Sequence, residues 1–220
     1  MNTRIPGVPV VFEDDSVIIV NKPPGLLSQP GKYLNDSVSV RVAEAINSEA
    51  EPVLVHRLDM DTSGLLMLAK NKVAHRTLQQ QFEKRVIGKR YRAVLTEAPV
   101  GLGGRIDLPI RLDIDNRPTQ IVCYEHGKKS TTVWHRDPAK GANSIVLYPI
   151  TGRSHQLRVH LADPAGLGVP IRGDRLYGKA SHDRSSDRMM LHADFLSFNH
   201  PITGIRCSVE CPAQFASPDK

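Results

Sequence analysis

Residues 55–68 read VHRLDMDTSGLLML, with His56, Arg57, Asp59 and Asp61 crowded between two apolar runs. A carboxylate placed where a strand ends can serve as a nucleophile, a general base or a metal ligand. Asp59 is followed by Thr62-Ser63-Gly64. Gly64 permits a sharp backbone turn, and the two hydroxyls can bond backbone amides, so such a loop can hold one carboxylate firmly. The plainer alternative is an Asx-turn aspartate that only shapes the loop. Asp59 and Asp61 together can also form a carboxylate pair for glycoside hydrolysis or a magnesium site. No further acidic cluster supports a metal.

A second concentration lies at 151–160, TGRSHQLRVH, where Arg153, His155, Arg158 and His160 fall within eight residues. The spacing predicts a short helix capped by Ser154, with His155 and Arg158 as i,i+3 neighbours. Arg153 and Arg158 can clamp phosphates or pair a buried carboxylate. The alternative is a solvated basic face. His155 and His160 stand five residues apart, the wrong step for one helix face, which speaks against a metal site. In GKRYRA, at 88–93, strand alternation sends Tyr91 to the face opposite Arg90 and Arg92. An aromatic near cations can stack on a base, although core packing is the commoner fate of a tyrosine. No GxGxxG, GxxxxGK[ST] or GxSxG pattern is present.

The elements that must position these residues read as a mixture. VVFEDDSVIIVNKPPG predicts a hairpin around Asp14-Asp15. Residues 37–47 predict an amphipathic helix capped by Ser37, and Asn71 caps a second one with Val73, Leu78, Phe82 and Val86 at helical spacing. VLV at 53–55 and LLMLAK at 65–70 predict buried strands, and KRYRAVLTE returns to strand alternation. IVCYE, STTVWH and SIVLYPI are further strands, and RMMLHADFLSF with GIRCSVECP predicts a closing hairpin around Asn199-His200-Pro201. The expected class is α+β, with a mixed or antiparallel sheet flanked by helices. Without a linker of any length, the expectation is one catalytic domain over 1–220.

The chain has 220 residues, 40% hydrophobic, enough for a sizeable core. Its net charge of +6 points to a polyanionic partner, most simply nucleic acid. Three cysteines without CxxC spacing argue against a disulfide framework and a zinc ribbon, and fit buried reduced thiols of a cytoplasmic protein. MNTRIPGVPV carries no apolar signal segment, and the longest apolar run is far short of a membrane span.

HRLDMDTSG, KRYRA and GRSHQLRVH, in this order, resemble the RluA-type pseudouridine synthases, which carry HRLDxxTSG, a K-x-Y motif and GRxHQLRxH. NKPPGLLSQPG, GDRLYG at 173–178 and MLHA at 190–193 also match that family's motifs, so the resemblance runs from about Val10 to about Pro212. NRPTQIVCYEHGK is similar to a segment of the family's short RluA branch, and no room is expected for the N-terminal S4-like domain of many relatives. Lys129-Ser130-Thr131-Thr132 departs from the usual K-x-A-x-T run, which puts RNA contacts of that region in question.

The resemblance implies the pseudouridine synthase fold and isomerisation of uridine to pseudouridine in RNA, without cofactor or metal. It implies two substrates, large-subunit (23S) ribosomal RNA and the anticodon stem-loop of tRNA. A monomer is the expected working form, and dimerisation stays open. Asp59 aligns with the catalytic aspartate. Tyr91 aligns with the tyrosine that packs on the target base, and Arg158 with the arginine that pairs the catalytic carboxylate. Arg57 aligns with the arginine that enters the stem as the base flips out, and filling that space offsets part of the few kcal/mol of unstacking. His56, Arg153 and His155 are expected RNA contacts, with Leu191 an apolar wall residue. Three roles stay open for Asp59: attack on the sugar C1′, attack on base C6, or proton abstraction. The rival readings are a catalytically inactive RNA-binding domain and a metal-dependent hydrolase using Asp59 and Asp61.

Overall fold

The computed structural model describes residues 3–46, 52–178 and 186–215. Twelve strands and three α-helices follow one another among them, with a single 3-10 turn at Pro138–Lys140. These are β1 (Val10–Glu13), β2 (Val17–Lys22), α1 (Val38–Ile46), β3 (Val53–Leu54), β4 (Ser63–Ala69) and α2 (Lys72–Glu83). Then come β5 (Gly88–Val94), β6 (Gly103–Asp107), β7 (Ile110–Leu112), β8 (Gln120–Val122), β9 (Thr131–Arg136) and β10 (Ser144–Pro149). The series closes with α3 (Gln156–Ala162), β11 (Leu191–Asn199) and β12 (Arg206–Glu210). The class is α+β, and the chain forms two compact units.

The first unit comprises Met1–Lys89 and His192–Ala213. Its strand β4, SGLLMLA, is buried at every position, which is why its apolar run is continuous rather than alternating. β2 pairs it antiparallel and β11 pairs it parallel, in register His192↔Ser63 and Ala193↔Gly64. β1 completes the expected hairpin with β2, its turn tied by the Asp14 carboxylate, which accepts from Ser16 N at 2.7 Å and Val17 N at 2.8 Å. β11 and β12 form the expected closing hairpin. The core gathers Val17, Ile19, Leu65, Met67, Leu78, Leu196 and Phe198.

Both helix caps predicted in this unit are present. Val40 N donates to Ser37 Oγ at 3.4 Å, and Ala74 N donates to Asn71 Oδ1 at 2.9 Å. The first helix runs Val38–Ile46, and Asn47 lies outside the described residues. The apolar stripe expected on α2 is corrected. Val73 is 64% exposed and Val86 lies beyond the helix end, so the buried side is Ala74, Leu78 and Gln81. VLV at 53–55 yields only a two-residue strand, with Val53 41% exposed.

The second unit comprises Arg90–Leu191 and Gln214–Lys220. β10 pairs β5 and β9, and β9 pairs β6, all antiparallel, while β7 and β8 form a separate ribbon. Its core includes Leu95, Trp134, Leu147, Leu157, Leu161, Ile171 and Leu191, with Tyr91 packed against it. IVCYE is a strand only as far as Val122, because Cys123 turns the chain and its carbonyl accepts from Gly127 N at 2.9 Å. Cys123, Cys207 and Cys211 are free thiols, partly exposed rather than buried. Among the described residues no helix is long and apolar enough to cross a membrane.

Candidate active site

Asp59 sits partly buried in the connection between β3 and β4, and the segment that precedes α1 holds this loop on both sides of it. Upstream, the Ser28 hydroxyl donates to Leu58 O at 2.7 Å and accepts from Leu58 N at 3.1 Å. Downstream, Met60 O accepts from Lys22 Nζ at 2.7 Å and from Gly25 N at 2.9 Å. Asp59 O itself accepts from Thr62 N at 3.1 Å. Three consecutive carbonyls, 58 to 60, are therefore each bonded. Lys22 is fully buried, and its ammonium also donates to Pro23 O and Leu26 O, so three carbonyls meet its three N–H groups. The sequence marks NKPPGLLSQPG only as a matching stretch. Its mechanical link to Asp59 spans about thirty positions and has no periodic signature.

The exit from the loop is equally constrained. Gly64 has φ 113°, and a Cβ there would lie 2.3 Å from Ala193 O. Ser63 Oγ lies 2.7 Å from His192 Nδ1, while His192 Nε2 lies 2.9 Å from Cys211 O. The HRLDMDTSG and MLHA stretches thus meet through β4 and β11.

Arg57 is exposed. His56 turns its ring into the unit: it stacks on Phe82 with centroids 5.0 Å apart, and Nε2 accepts from Met67 N at 3.1 Å. Burial, helped by the Lys89 charge, pulls its pKa down to about 3, so the ring is neutral at neutral pH. Lys89 is in turn lowered to about 8 by burial and by the Arg85 charge.

In the second unit, TGRSHQLRVH makes α3, and its residues Gln156 to Leu161 are all buried. A solvated basic face is thereby overturned. The Ser154 cap is also corrected: His155 is the N-cap, in the left-handed region at φ 53°, with no side-chain cap bond. Gln156 takes over the work of closing that turn. Its Oε1 accepts from Arg153 N at 3.0 Å and Thr151 Oγ1 at 2.7 Å, and its Nε2 donates to Thr131 O at 2.9 Å.

Arg158, 2% exposed, donates from Nε to Asp174 Oδ2 at 2.8 Å and from a terminal nitrogen to Oδ1 at 2.6 Å. Asp174 Oδ1 also accepts from Leu176 N and Tyr177 N, so GDRLYG is a carboxylate turn built around this pair. The Arg158 guanidinium lies 5.1 Å from the centre of the Tyr177 ring. The Tyr177 hydroxyl accepts from Gln120 N at 2.7 Å and lies 2.8 Å from His155 Nδ1. Arg153 is exposed. Tyr91 packs on the core while Arg92, its neighbour, pairs Asp137, as strand alternation requires. Leu191 is 2% exposed within the same core. Sequence reasoning missed Asp174 and Tyr177 as partners of Arg158 and His155; the signal available was the GDRLYG stretch itself. Among the described residues, no group of three or more His, Cys, Asp or Glu is placed to hold a metal ion.

Comparison with known proteins places these features in context. The family model described as RNA pseudouridylate synthase matches residues 16–163. The chain is 42% identical over 214 residues to a protein named dual-specificity RNA pseudouridine synthase RluA from Escherichia coli strain K12, covering 96% of this chain and 95% of that one. It is 44% identical over 218 residues to the protein of that name from Vibrio vulnificus, covering 96% and 85%. The solved structure of human RNA pseudouridylate synthase domain containing 1 is similar with a TM-score of 0.79 at 27% identity, over 96% of this chain and 85% of that one.

Proposed function

Because the chain belongs to the RNA pseudouridylate synthase family, we propose that it isomerises uridine to pseudouridine in two RNAs, large-subunit ribosomal RNA and the anticodon stem-loop of tRNA. The reaction breaks the bond from sugar C1′ to N1 and forms one from C1′ to C5. The C5 proton leaves, N1 gains one, and the atoms balance without a redox partner. The observation that carries this reading is the bracing of Asp59, whose backbone and both neighbours are hydrogen-bonded in place. A carboxylate carried on a braced backbone is what positioning catalysis requires. The dual range is supported by the dual-specificity name of the relatives at 42–44% identity.

In this proposal Asp59, Tyr91 and Arg158 are the catalytic residues. The target base leaves the stack for the reaction, and Arg57 occupies the vacated space. Arg153 and His155 contact RNA, and Leu191 backs the base-binding wall. His56 belongs to the RNA-binding set by its position in HRLDMDTSG, although its ring turns inward onto Phe82 and Met67 N. The family match runs through residues of both compact units, which supports one catalytic domain. The net charge of +6 supports an RNA partner. A cytoplasmic monomer that works without metal or cofactor completes the proposal.

The test uses both RNAs tritiated at uracil C5, with EDTA present. Wild-type protein is expected to release tritium from each, and Asp59→Ala from neither. Release that EDTA abolishes, or that Asp59→Ala retains, overturns the assignment. Release from one RNA alone overturns the dual range.

A further inference from the structure

We propose that Ser28 is a positioning residue for Asp59, acting through the backbone of Leu58; the proposal rests on Asp59 being the reaction's carboxylate. A serine hydroxyl has one proton and two lone pairs. Here it gives the proton to Leu58 O at 2.7 Å and takes a bond from Leu58 N at 3.1 Å. These two groups belong to successive peptide planes. The plane that holds Leu58 C=O also contains the nitrogen and Cα of Asp59. Fixing that plane fixes the root of the Asp59 side chain.

The hydroxyl is itself held rigidly. Ser28 O accepts from Ser39 N at 3.1 Å and Leu27 O accepts from Val38 N at 2.8 Å, so its backbone is sewn to the first turn of α1. That helix is anchored in turn by the buried Val38 and Val42. Ser28 is 4% exposed and Leu58 7%, so water is poorly placed to replace either bond. Without the hydroxyl, the downstream ties at Asp59 O and Met60 O remain. The loop then stays folded while its upstream half loosens. A shift of about 1 Å at a reacting group is enough to cost on the order of 100-fold in rate.

The experiment compares the full-length protein with Ser28→Ala, Ser28→Thr and Ser28→Cys in single-turnover tritium release, well below each variant's melting temperature. Ser28→Ala is expected to lose roughly 10- to 100-fold in rate with RNA affinity little changed. Ser28→Thr, which keeps the hydroxyl, is expected to recover most of the rate. Where Ser28→Ala fails to fold, Ser28→Cys decides: matched to Ser28→Thr in melting temperature, it must be slower, because a thiol is a weak donor. An unchanged rate in Ser28→Ala overturns the proposal, as does a loss that only tracks the unfolded fraction or that Thr leaves unrescued. An active wild type inactivated by Asp59→Ala, with Ser28→Ala at full rate, removes Ser28 alone. A wild type that releases no tritium removes the reading of Asp59 and this proposal with it.

Discussion

Ser63 and His192, 129 residues apart, are joined by a hydrogen bond of 2.7 Å whose direction is fixed from outside. The other ring nitrogen of His192 faces Cys211 O at 2.9 Å, and a carbonyl only accepts. In the neutral ring Nε2 therefore carries the proton, Nδ1 is the bare acceptor, and the Ser63 hydroxyl donates. Both residues are buried, at 2% and 4% exposure. Ser63→Ala is expected to cost about 1–3 kcal/mol, because His192 Nδ1 loses a buried partner. A double-mutant cycle with His192→Asn, read by urea unfolding, should show a coupling of at least about 0.5 kcal/mol. Additive losses would mean that the bond contributes nothing.

Gly64 and Gly25 share a positive φ but differ in surroundings. At Gly64 an added Cβ meets Ala193 backbone at 2.3 Å, whereas at Gly25 nothing lies within 4 Å. Gly64→Ala must push β4 from β11 and is expected to destabilise by more than about 4 kcal/mol, or to prevent folding. Gly25→Ala carries only the left-handed strain of about 1–2 kcal/mol. Thermal melts of the two variants check the order; equal losses would contradict the close approach.

His56 gives the fold a sensitivity to acid. Its folded pKa of about 3 lies below the ordinary 6.5, so between those values the unfolded chain binds a proton that the folded one does not. The His56 contribution to stability is complete above pH 6.5 and is lost as pH drops toward 3, by a few kcal/mol at about 1.4 kcal/mol per unit. Replacing His56 by Gln removes this contribution. Urea midpoints measured from pH 7 to pH 4 should then fall less steeply than in wild type. Parallel profiles would show that the ring titrates normally.

Arg158 and Asp174 form a buried two-point pair, with side chains 3% and 1% exposed. Asp174→Asn removes the carboxylate charge from this buried two-point pair and is expected to destabilise by about 3–5 kcal/mol. Arg158→Lys keeps the charge but cannot reproduce the fork, so it should also destabilise. Denaturant unfolding checks both. Full stability in Asp174→Asn would show that this pair does not organise the second unit.

Much of the architecture was legible in the order of residues. LLMLAK announced a buried strand because its run is continuous, and Asn71 announced a helix start because its side chain can take an orphan amide. The sequence cannot place the α2 stripe correctly at Val73 and Val86, because short apolar spacings fit more than one helix phase; the cap and the helix end at Glu83 select Ala74, Leu78 and Gln81. The Ser154 cap failed for a related reason. Gln156, two residues on, offers both a donor and an acceptor and reaches Thr131, a partner no local pattern can show.

By itself the sequence determined the class of fold and the family, and it singled out the side chains proposed to carry the chemistry, because composition, periodicity and ordered motifs are properties of the chain alone. Only the tertiary structure decided how those side chains are held. Ser28 reaches Leu58, Lys22 reaches Met60, Ser63 reaches His192 and Asp174 reaches Arg158 across 16 to 129 positions. Hydrogen bonds need donor and acceptor within about 3 Å and suitably aligned. Such geometry arises only once strands pair and the core closes.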